Sequence, residues 1–222
     1  MTNDSDRDKL IEAAFAVVAD DGWSAADADT IAARAGTEAR QFQTRFAGPI
    51  DCLIAGLIAA NESAFEAARD FEPEDTVREK LFELVMARLD RLKPWRDAIG
   101  RLRWAGFRDP MLGAALAWEV DRAVALMFDQ AGVEDRGPVG ALRRGAFITT
   151  VYAPILDTWI KDESADLSET MADLDKHLDR AERAARRLPF NPEGPTMPTA
   201  PMPGDPAPSA PATGEPDPAA SL

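Results

Sequence analysis

Apolar residues recur every three or four positions between Ser5 and Leu188, a spacing that places them on one face of an α-helix. Glycine and proline interrupt this pattern at short intervals, for example at Gly22, Gly36 and Pro94. No stretch alternates between apolar and polar residues for long enough to indicate a half-buried strand. The sequence therefore predicts an all-α protein whose helices are joined by short turns.

The predicted helices fall into two groups by length. Three short helices lie within residues 1–47, and about six mostly longer helices occupy residues 48–188. We therefore predict a small three-helix domain over the first range and a larger helical domain over the second. Pro154 falls inside the helix that begins near Pro138, and we expect a kink there because an interior proline removes a helical hydrogen bond.

The composition changes abruptly at Pro189. Residues 189–222 contain 11 of the 17 prolines, mixed with alanine, glycine, serine and threonine, and they lack a periodic apolar face. Such a segment has little apolar surface to bury and favours an extended, polyproline-like chain. We predict a disordered Pro/Ala-rich tail over residues 189–222.

Bulk properties limit the classes of function. The chain carries 39 acidic and 25 basic residues, for a net charge of −14, so any nucleic-acid contact requires a local basic patch. No apolar run reaches the roughly 18 residues that a membrane span needs, and no leader pattern opens the chain. Cys52 is the only cysteine, which prevents an internal disulfide. We expect a soluble, cytoplasmic protein.

Residue types that usually carry catalysis are scarce. His177 is the only histidine, and no second ligand at helical spacing completes a convincing metal site with it. No nucleophile, base and orienting group occur in a recognisable series, and glycine-rich phosphate loops are absent. The sequence therefore predicts no enzyme, no metal site and no cofactor.

Residues 24–46 have the pattern of a helix-turn-helix. The run 31–36 supplies the first helix and a glycine-bearing turn, and Phe42 and Phe46 form the inner face of the second helix. The outward positions then carry side chains that can donate to base edges or hold phosphate. We take as DNA-binding candidates the residues Arg34, Arg40, Gln41, Gln43, Thr44 and Arg45.

The run from Asp8 to Phe46 resembles the DNA-binding head of the tetracycline-repressor (TetR/AcrR) family of regulators. The similar segments are residues 10–14 (LIEAA), 22–23 (GW) and 31–36 (IAARAG), with Phe46 closing the third helix. The resemblance implies a TetR-like homodimer that reads a palindromic operator with its third helix in the major groove. It further implies a body over residues 48–188 that dimerises and binds a small apolar ligand, which releases the DNA.

The charge of the head opposes tight DNA binding. Residues 1–46 contain five basic and nine acidic residues, for a net charge of −4. Each missing phosphate contact removes an increment of salt-dependent affinity. Binding would rest on Arg40 and Arg45 with their dimer mates, and with Arg34 as a further contributor. A head that keeps the fold without binding DNA stays an open alternative.

Large apolar side chains in the body suit either a ligand chamber or an ordinary bundle core. The family resemblance, more than the residues themselves, motivates a chamber. The residues that we select as its lining are Trp104, Trp118, Phe147 and Tyr152.

A second resemblance covers the stretch from Tyr152 to Arg180. Residues 153–159 (APILDTW), 162–166 (DESAD) and 169–170 (ET) are similar to the end of the lipid-binding accessory proteins of ubiquinone biosynthesis. That resemblance implies an alternative function, in which the repressor fold has lost DNA binding and binds an isoprenoid or quinone lipid. The last helix can pack on the body or pair with a dimer mate under either function. Contact with a membrane surface belongs to the lipid-binding alternative alone.

Overall fold

The computed structural model describes the backbone of residues 2–67 and 71–187, and the side chains of residues 5–66 and 71–187. Within those ranges the chain is helical and contains no strand, which confirms the all-α prediction. The predicted tail, residues 189–222, lies outside the described residues. The helices are α1 Thr2–Asp21, α2 Ala28–Arg34, α3 Ala39–Gln43, α4 Pro49–Ala67, α5 Val77–Leu92, α6 Arg96–Gly106, α7 Pro110–Ala131, α8 Gly137–Phe147, α9 Ala153–Lys161 and α10 Ser168–Ala185.

The apolar face of α1 supplies much of the core of the first three helices. Leu10, Ala14, Phe15 and Val18 recur every three or four residues on that helix, and all four are buried. Helix α2 begins where the Asp27 carboxylate accepts a hydrogen bond from the Thr30 amide at 2.8 Å, which satisfies one of the free amides of the first turn. A short 3₁₀ turn, Trp23–Ala25, joins α1 to α2.

Helices α4 to α10 complete a bundle whose core is continuous with the core around α1. Helices α6 and α7 cross very closely at two glycines. A Cβ atom added at Gly113 would lie 2.5 Å from the carbonyl oxygen of Gly106, so only glycine fits there. The chain up to Arg186 forms one compact unit, and the boundary that we predict between residues 47 and 48 stays a prediction. No described helix is both long and apolar enough to cross a membrane.

Helices α8 and α9 are continuous through a π turn, Ile148–Tyr152, and Pro154 is the second residue of α9. Proline has no amide hydrogen, so it cannot supply the hydrogen bond that the Thr150 carbonyl would receive in an α-helix. His177 on α10 supplies one instead, since its Nδ1 donates to that carbonyl at 2.6 Å. The disturbance that the sequence predicts at Pro154 therefore takes the form of a π turn held by a side chain from the last helix.

Candidate nucleic-acid interface and the helical body

The α2–turn–α3 segment has the geometry of a helix-turn-helix. Gly36 has a φ of +70°, a left-handed conformation that favours glycine, and the amide of Thr37 donates to the carbonyl of Ala32 at 2.9 Å. Phe42 and Phe46 are buried with their ring centroids 5.5 Å apart, so they form the inner face that their spacing predicts. The opposite face of α3 consequently points away from the core.

That outward face carries four of the six DNA-binding candidates. Arg40, Gln41, Gln43 and Thr44 are all exposed. The Thr44 hydroxyl donates to the carbonyl of Gln41 at 2.8 Å, and the Thr37 hydroxyl donates to the side-chain oxygen of Gln41. Arg40 makes no ion pair or side-chain hydrogen bond with the described residues, so its guanidinium is available to another molecule.

The other two candidates are ion-paired with carboxylates of α1. Arg34 holds Asp20 at 2.7 Å and Asp21 at 3.0 Å, both at the end of that helix. Arg45 lies 3.6 Å from a carboxylate oxygen of Asp6, and its side chain is only 20% exposed. A phosphate would have to compete with these carboxylates for either arginine, which lowers the electrostatic gain on binding.

The four residues selected as a ligand lining lie in two different environments. Trp104 on α6 is 71% exposed and Trp118 on α7 is 56% exposed. Phe147 and Tyr152, at the end of α8 and in the π turn, are buried. The structure therefore brings Phe147 and Tyr152 into the core, whereas the two tryptophans stand on the surface, and the four do not enclose one chamber.

A buried polar cluster occupies the interior between α4, α5, α7 and the π turn. The guanidinium of Arg88 donates through Nη2 to Glu119 at 2.9 Å, through Nε to the Tyr152 hydroxyl at 2.7 Å, and through Nη1 to Asn61. The Asn61 amide donates in turn to Glu119 at 2.7 Å. All four side chains are almost completely buried and cannot bond to water, so each one supplies a hydrogen-bond partner to another.

Burial and charge act in opposite directions on this cluster. Burial disfavours the charged form of Arg88, but the facing Tyr152 hydroxyl and Glu119 carboxylate raise the pKa of its guanidinium, which stays protonated. Burial also raises the pKa of Tyr152, which keeps its hydroxyl neutral. The result is a single buried ion pair supported by two neutral hydrogen-bonding groups.

The amino-acid sequence contains a signal for this cluster, although we did not predict it. Arg88 falls on the apolar stripe of α5, four residues after Leu84 and four before Leu92, where a hydrophobic side chain is expected. Asn61 interrupts the stripe of α4 in the same way, four residues after Leu57. Polar residues at core positions on separate helices indicate a buried network.

Asp162 and its neighbours have a structural role between α9 and α10. The buried carboxylate of Asp162 accepts hydrogen bonds from the amides of Ser164 and Thr170, each at 2.9 Å, and from the Thr170 hydroxyl at 2.6 Å. Burial opposes the charged form of Asp162, but hydrogen bonds from Ser164 and Thr170 outweigh it and lower the pKa of the carboxyl group well below its usual range. These residues therefore fix the start of α10.

The single cysteine and the single histidine of the chain both have structural positions. Cys52 is buried on α4, and burial together with the charge of Asp51 raises the pKa of its thiol to about 12. His177 holds the Thr150 carbonyl described above. Among the residues that the structure describes, no group of three or more histidine, cysteine or acidic side chains is placed to hold a metal ion.

No family model matches the sequence, and no curated protein matches it. Solved structures do match the fold. The TetR transcriptional regulator from Nitrosomonas europaea superposes with a TM-score of 0.64 and 21% identity, over 80% of this chain and 98% of that one. A chain named as a TetR-family transcriptional regulator from Rhodococcus sp. gives 0.59 and 19%, over 80% of this chain and 98% of that one.

A third similar structure is named as a TetR-family transcriptional regulator from Mesorhizobium loti. It superposes with a TM-score of 0.56 and 13% identity, over 83% of this chain and 98% of that one. The chain thus has the fold of the TetR-family regulators along almost the whole length of these structures. The predicted TetR-like fold is confirmed.

Proposed function

We propose that this chain, which has the TetR-regulator fold, is a cytoplasmic transcriptional regulator that binds DNA as a homodimer and responds to a small apolar ligand. The observation that carries the proposal is the outward face of α3, on which Arg40, Gln41, Gln43 and Thr44 are exposed. Arginine pairs with guanine and glutamine with adenine in the major groove, and threonine can hold phosphate. The ion pairs of Arg34 and Arg45 leave Arg40 as the principal cation of this surface.

In the proposed mechanism, a two-fold axis presents two α3 helices to successive major grooves. Ligand bound to the body would favour an arrangement in which the two helices no longer match that spacing, so the affinity for the operator would fall. A ligand can shift this equilibrium only by its difference in affinity for the two arrangements.

A stripe of exposed residues along α8 supports the proposed dimer. Val139, Leu142 and Ala146 are exposed at spacings of three and four, and the stripe continues to Thr149 in the π turn. Leu142 is 73% exposed although it is a large apolar side chain. Small and apolar residues at this spacing suit the close approach of a second helix, and burying them would stabilise the dimer.

Replacing Arg40 with alanine should weaken operator binding about fivefold or more, since one bidentate base contact contributes about 1–3 kcal/mol. We would first isolate specific genomic fragments with the purified full chain at low salt, and then measure the affinity of each variant by fluorescence anisotropy. Arg183→Ala is the matched control, because Arg183 is an exposed arginine ion-paired with Asp179 on α10. The control should bind like the parent.

Absence of any specific fragment at low salt would remove the regulator proposal. Equal loss of affinity in Arg40→Ala and Arg183→Ala would also contradict it. Such a result would mean that DNA binding depends on the overall positive charge and not on a specific contact from α3. A loss confined to Arg40→Ala assigns the contact to the helix-turn-helix.

A second candidate function is a lipid-binding accessory protein that has lost DNA binding. The pairing of Arg34 and Arg45 with carboxylates of α1, in a head of net charge −4, favours it. Mass spectrometry of an organic extract of the purified protein separates the two candidates. Recovery of an isoprenoid or quinone lipid, together with no DNA binding, would decide for the accessory protein.

A further inference from the structure

We propose that a groove between the end of α1 and the α6–α7 turn is the effector site of the proposed regulator, and that its ligand is a small aromatic carboxylate. The regulatory part of this inference rests on the proposed function, whereas binding of the ligand does not. Four features of the groove support the proposal: its size, its aromatic wall, its arginines and its connection to the helix-turn-helix.

The groove is large enough for a small molecule, with a cavity volume of about 1060 Å³. One wall comes from the end of α1 and the following 3₁₀ turn, and the other from α6, the α6–α7 turn and Ile160 of α9. In the interior of the body, by contrast, the buried ion pair of Arg88 and Glu119 and its two hydrogen-bonding partners already satisfy one another's polar groups. The arginines of the groove are therefore better placed to bind an anionic ligand than Arg88, which is already paired.

The aromatic wall exposes an unusual amount of apolar surface. Trp104 and Phe107 line the groove, are 71% and 77% exposed, and have ring centroids 6.0 Å apart. Trp23 lies on the opposite wall. Aromatic rings that face a groove offer stacking surfaces to a planar apolar ligand, and covering them would release water from a large apolar area.

Two arginines in the groove favour an anionic group on that ligand. Arg108 has no ion pair or side-chain hydrogen bond in the described ranges, and Arg101 donates to the backbone carbonyl of Asp20 over a long distance of 3.4 Å. A carboxylate accepts well from guanidinium groups and would replace this weak contact with charge-assisted hydrogen bonds.

The positions of the two carboxylates of the groove leave Arg108 as the better placed of the two arginines for an anion. Asp97 lies in the first turn of α6, one helical turn before Arg101, whereas Arg108 lies two residues beyond the end of that helix, so Asp97 is close to Arg101 and far from Arg108. The Asp109 carboxylate already accepts from the indole of Trp23 at 2.9 Å and from the amide of Met111 at 3.0 Å. The ligand carboxylate would consequently face Arg108, with Arg101 further along the same groove and the ligand rings against Trp104.

The position of the groove connects it to the helix-turn-helix. The hydrogen bond from Trp23 to Asp109 links the two walls, and Arg101 donates to the backbone of Asp20 at the end of α1. The side chain of Asp20 in turn holds Arg34 of α2 at 2.7 Å. A ligand that engages Arg101 would therefore act on the end of α1, and through Arg34 on the segment that carries α3.

The test uses 1-naphthoate as the probe and isothermal titration calorimetry on the full chain without DNA. We expect a Kd below about 1 mM, and binding at least about tenfold weaker for the uncharged analogue 1-naphthylmethanol. The variants Arg108→Gln and Trp104→Ala should each weaken 1-naphthoate binding about tenfold or more. The first removes the cation that binds the carboxylate, and the second removes the ring that stacks on the naphthalene. Both side chains are exposed, so neither change disturbs the core.

Trp118→Ala is the matched control, because Trp118, although selected from the sequence as a ligand-lining residue, is an exposed tryptophan of α7 that does not line the groove. Its affinity for 1-naphthoate should stay within about twofold of the parent. The proposal is overturned if 1-naphthoate does not bind, if the uncharged analogue binds equally well, or if Trp118→Ala loses as much affinity as Trp104→Ala.

A second measurement examines regulation. If the groove is the effector site, 1-naphthoate should change the affinity of the parent chain for its selected DNA fragment, and should change that of Arg108→Gln much less. A fragment affinity that is unchanged by saturating 1-naphthoate would overturn the effector role. Failure of the chain to bind DNA would remove the proposed function, while the calorimetric comparison would still decide whether the groove binds an aromatic carboxylate.

Discussion

Replacing Arg88 with alanine should lower the free energy of unfolding by about 3–5 kcal/mol, the largest effect that we expect from any single substitution. The change leaves the Glu119 carboxylate buried and unpaired. It also removes the guanidinium N–H groups that donate to the Asn61 side-chain oxygen and to the Tyr152 hydroxyl. A buried charge without its partner loses hydration and gains nothing in return. Urea denaturation followed by circular dichroism measures the difference.

Two further variants show whether burial of the pair is the cause. Arg183→Ala, which breaks the exposed pair with Asp179, should change the free energy of unfolding by no more than about 0.5 kcal/mol. The double variant Arg88→Ala/Glu119→Ala should be destabilised by less than the sum of the two single changes, because the second change removes the unpaired charge. Additive effects of the two single changes would contradict the proposed energetic coupling between Arg88 and Glu119.

Replacing Asp162 with alanine should lower the free energy of unfolding by about 3 kcal/mol, because several hydrogen bonds at the start of α10 are lost. The amide and hydroxyl of Thr170, a fully buried residue, would lose the carboxylate that accepts from them. The matched control is Asp166→Ala, since Asp166 is exposed and accepts from the amide of Ser168 at 3.2 Å. If both variants unfold at the same urea concentration, the buried carboxylate does not stabilise α10.

The contribution of Asp162 should also depend on pH in a defined direction. Its pKa is lowered in the folded chain, and an aspartate in the unfolded chain has a pKa of about 3.9. The stabilisation is therefore complete above about pH 5 and decreases as the pH falls through the unfolded pKa towards the folded one. Urea titrations of the parent and of Asp162→Ala should give a constant difference near neutral pH and a smaller difference below about pH 4. A difference that grows on acidification would contradict the assignment.

The sequence predicts those features that depend on neighbours in the chain. The regular spacing of four between Leu10, Ala14 and Val18 predicts a helix with one buried face, and the structure places these residues in the core. Gly36 between two short apolar patterns similarly predicts the helix-turn-helix, in which Phe42 and Phe46 form the inner face. Each of these inferences needs only a few consecutive residues.

Features that depend on contacts between distant helices were not predicted. The partners of Arg88 come from three other elements, and the sequence alone does not show which polar residues those elements bring together. The spacing of Phe42 and Phe46 predicts an outward position for Arg45, but Asp6, almost forty positions earlier, lies 3.6 Å from it, and the Arg45 side chain is only 20% exposed. The exposure of Trp104 and Trp118 has the same origin, because an aromatic residue is buried only where another helix covers it.

The π turn between α8 and α9 has a consequence for residue-by-residue comparison with other proteins of this fold. A π turn adds one residue to a helical turn, and each residue of an α-helix advances the chain by about 100° around the axis. Side chains from Ala153 onward therefore face a direction that an uninterrupted α-helix would assign to their neighbours. An alignment with a chain of this fold that lacks the turn needs a one-residue gap within residues 148–152, because otherwise the buried Trp159 would be equated with the neighbour of its true counterpart.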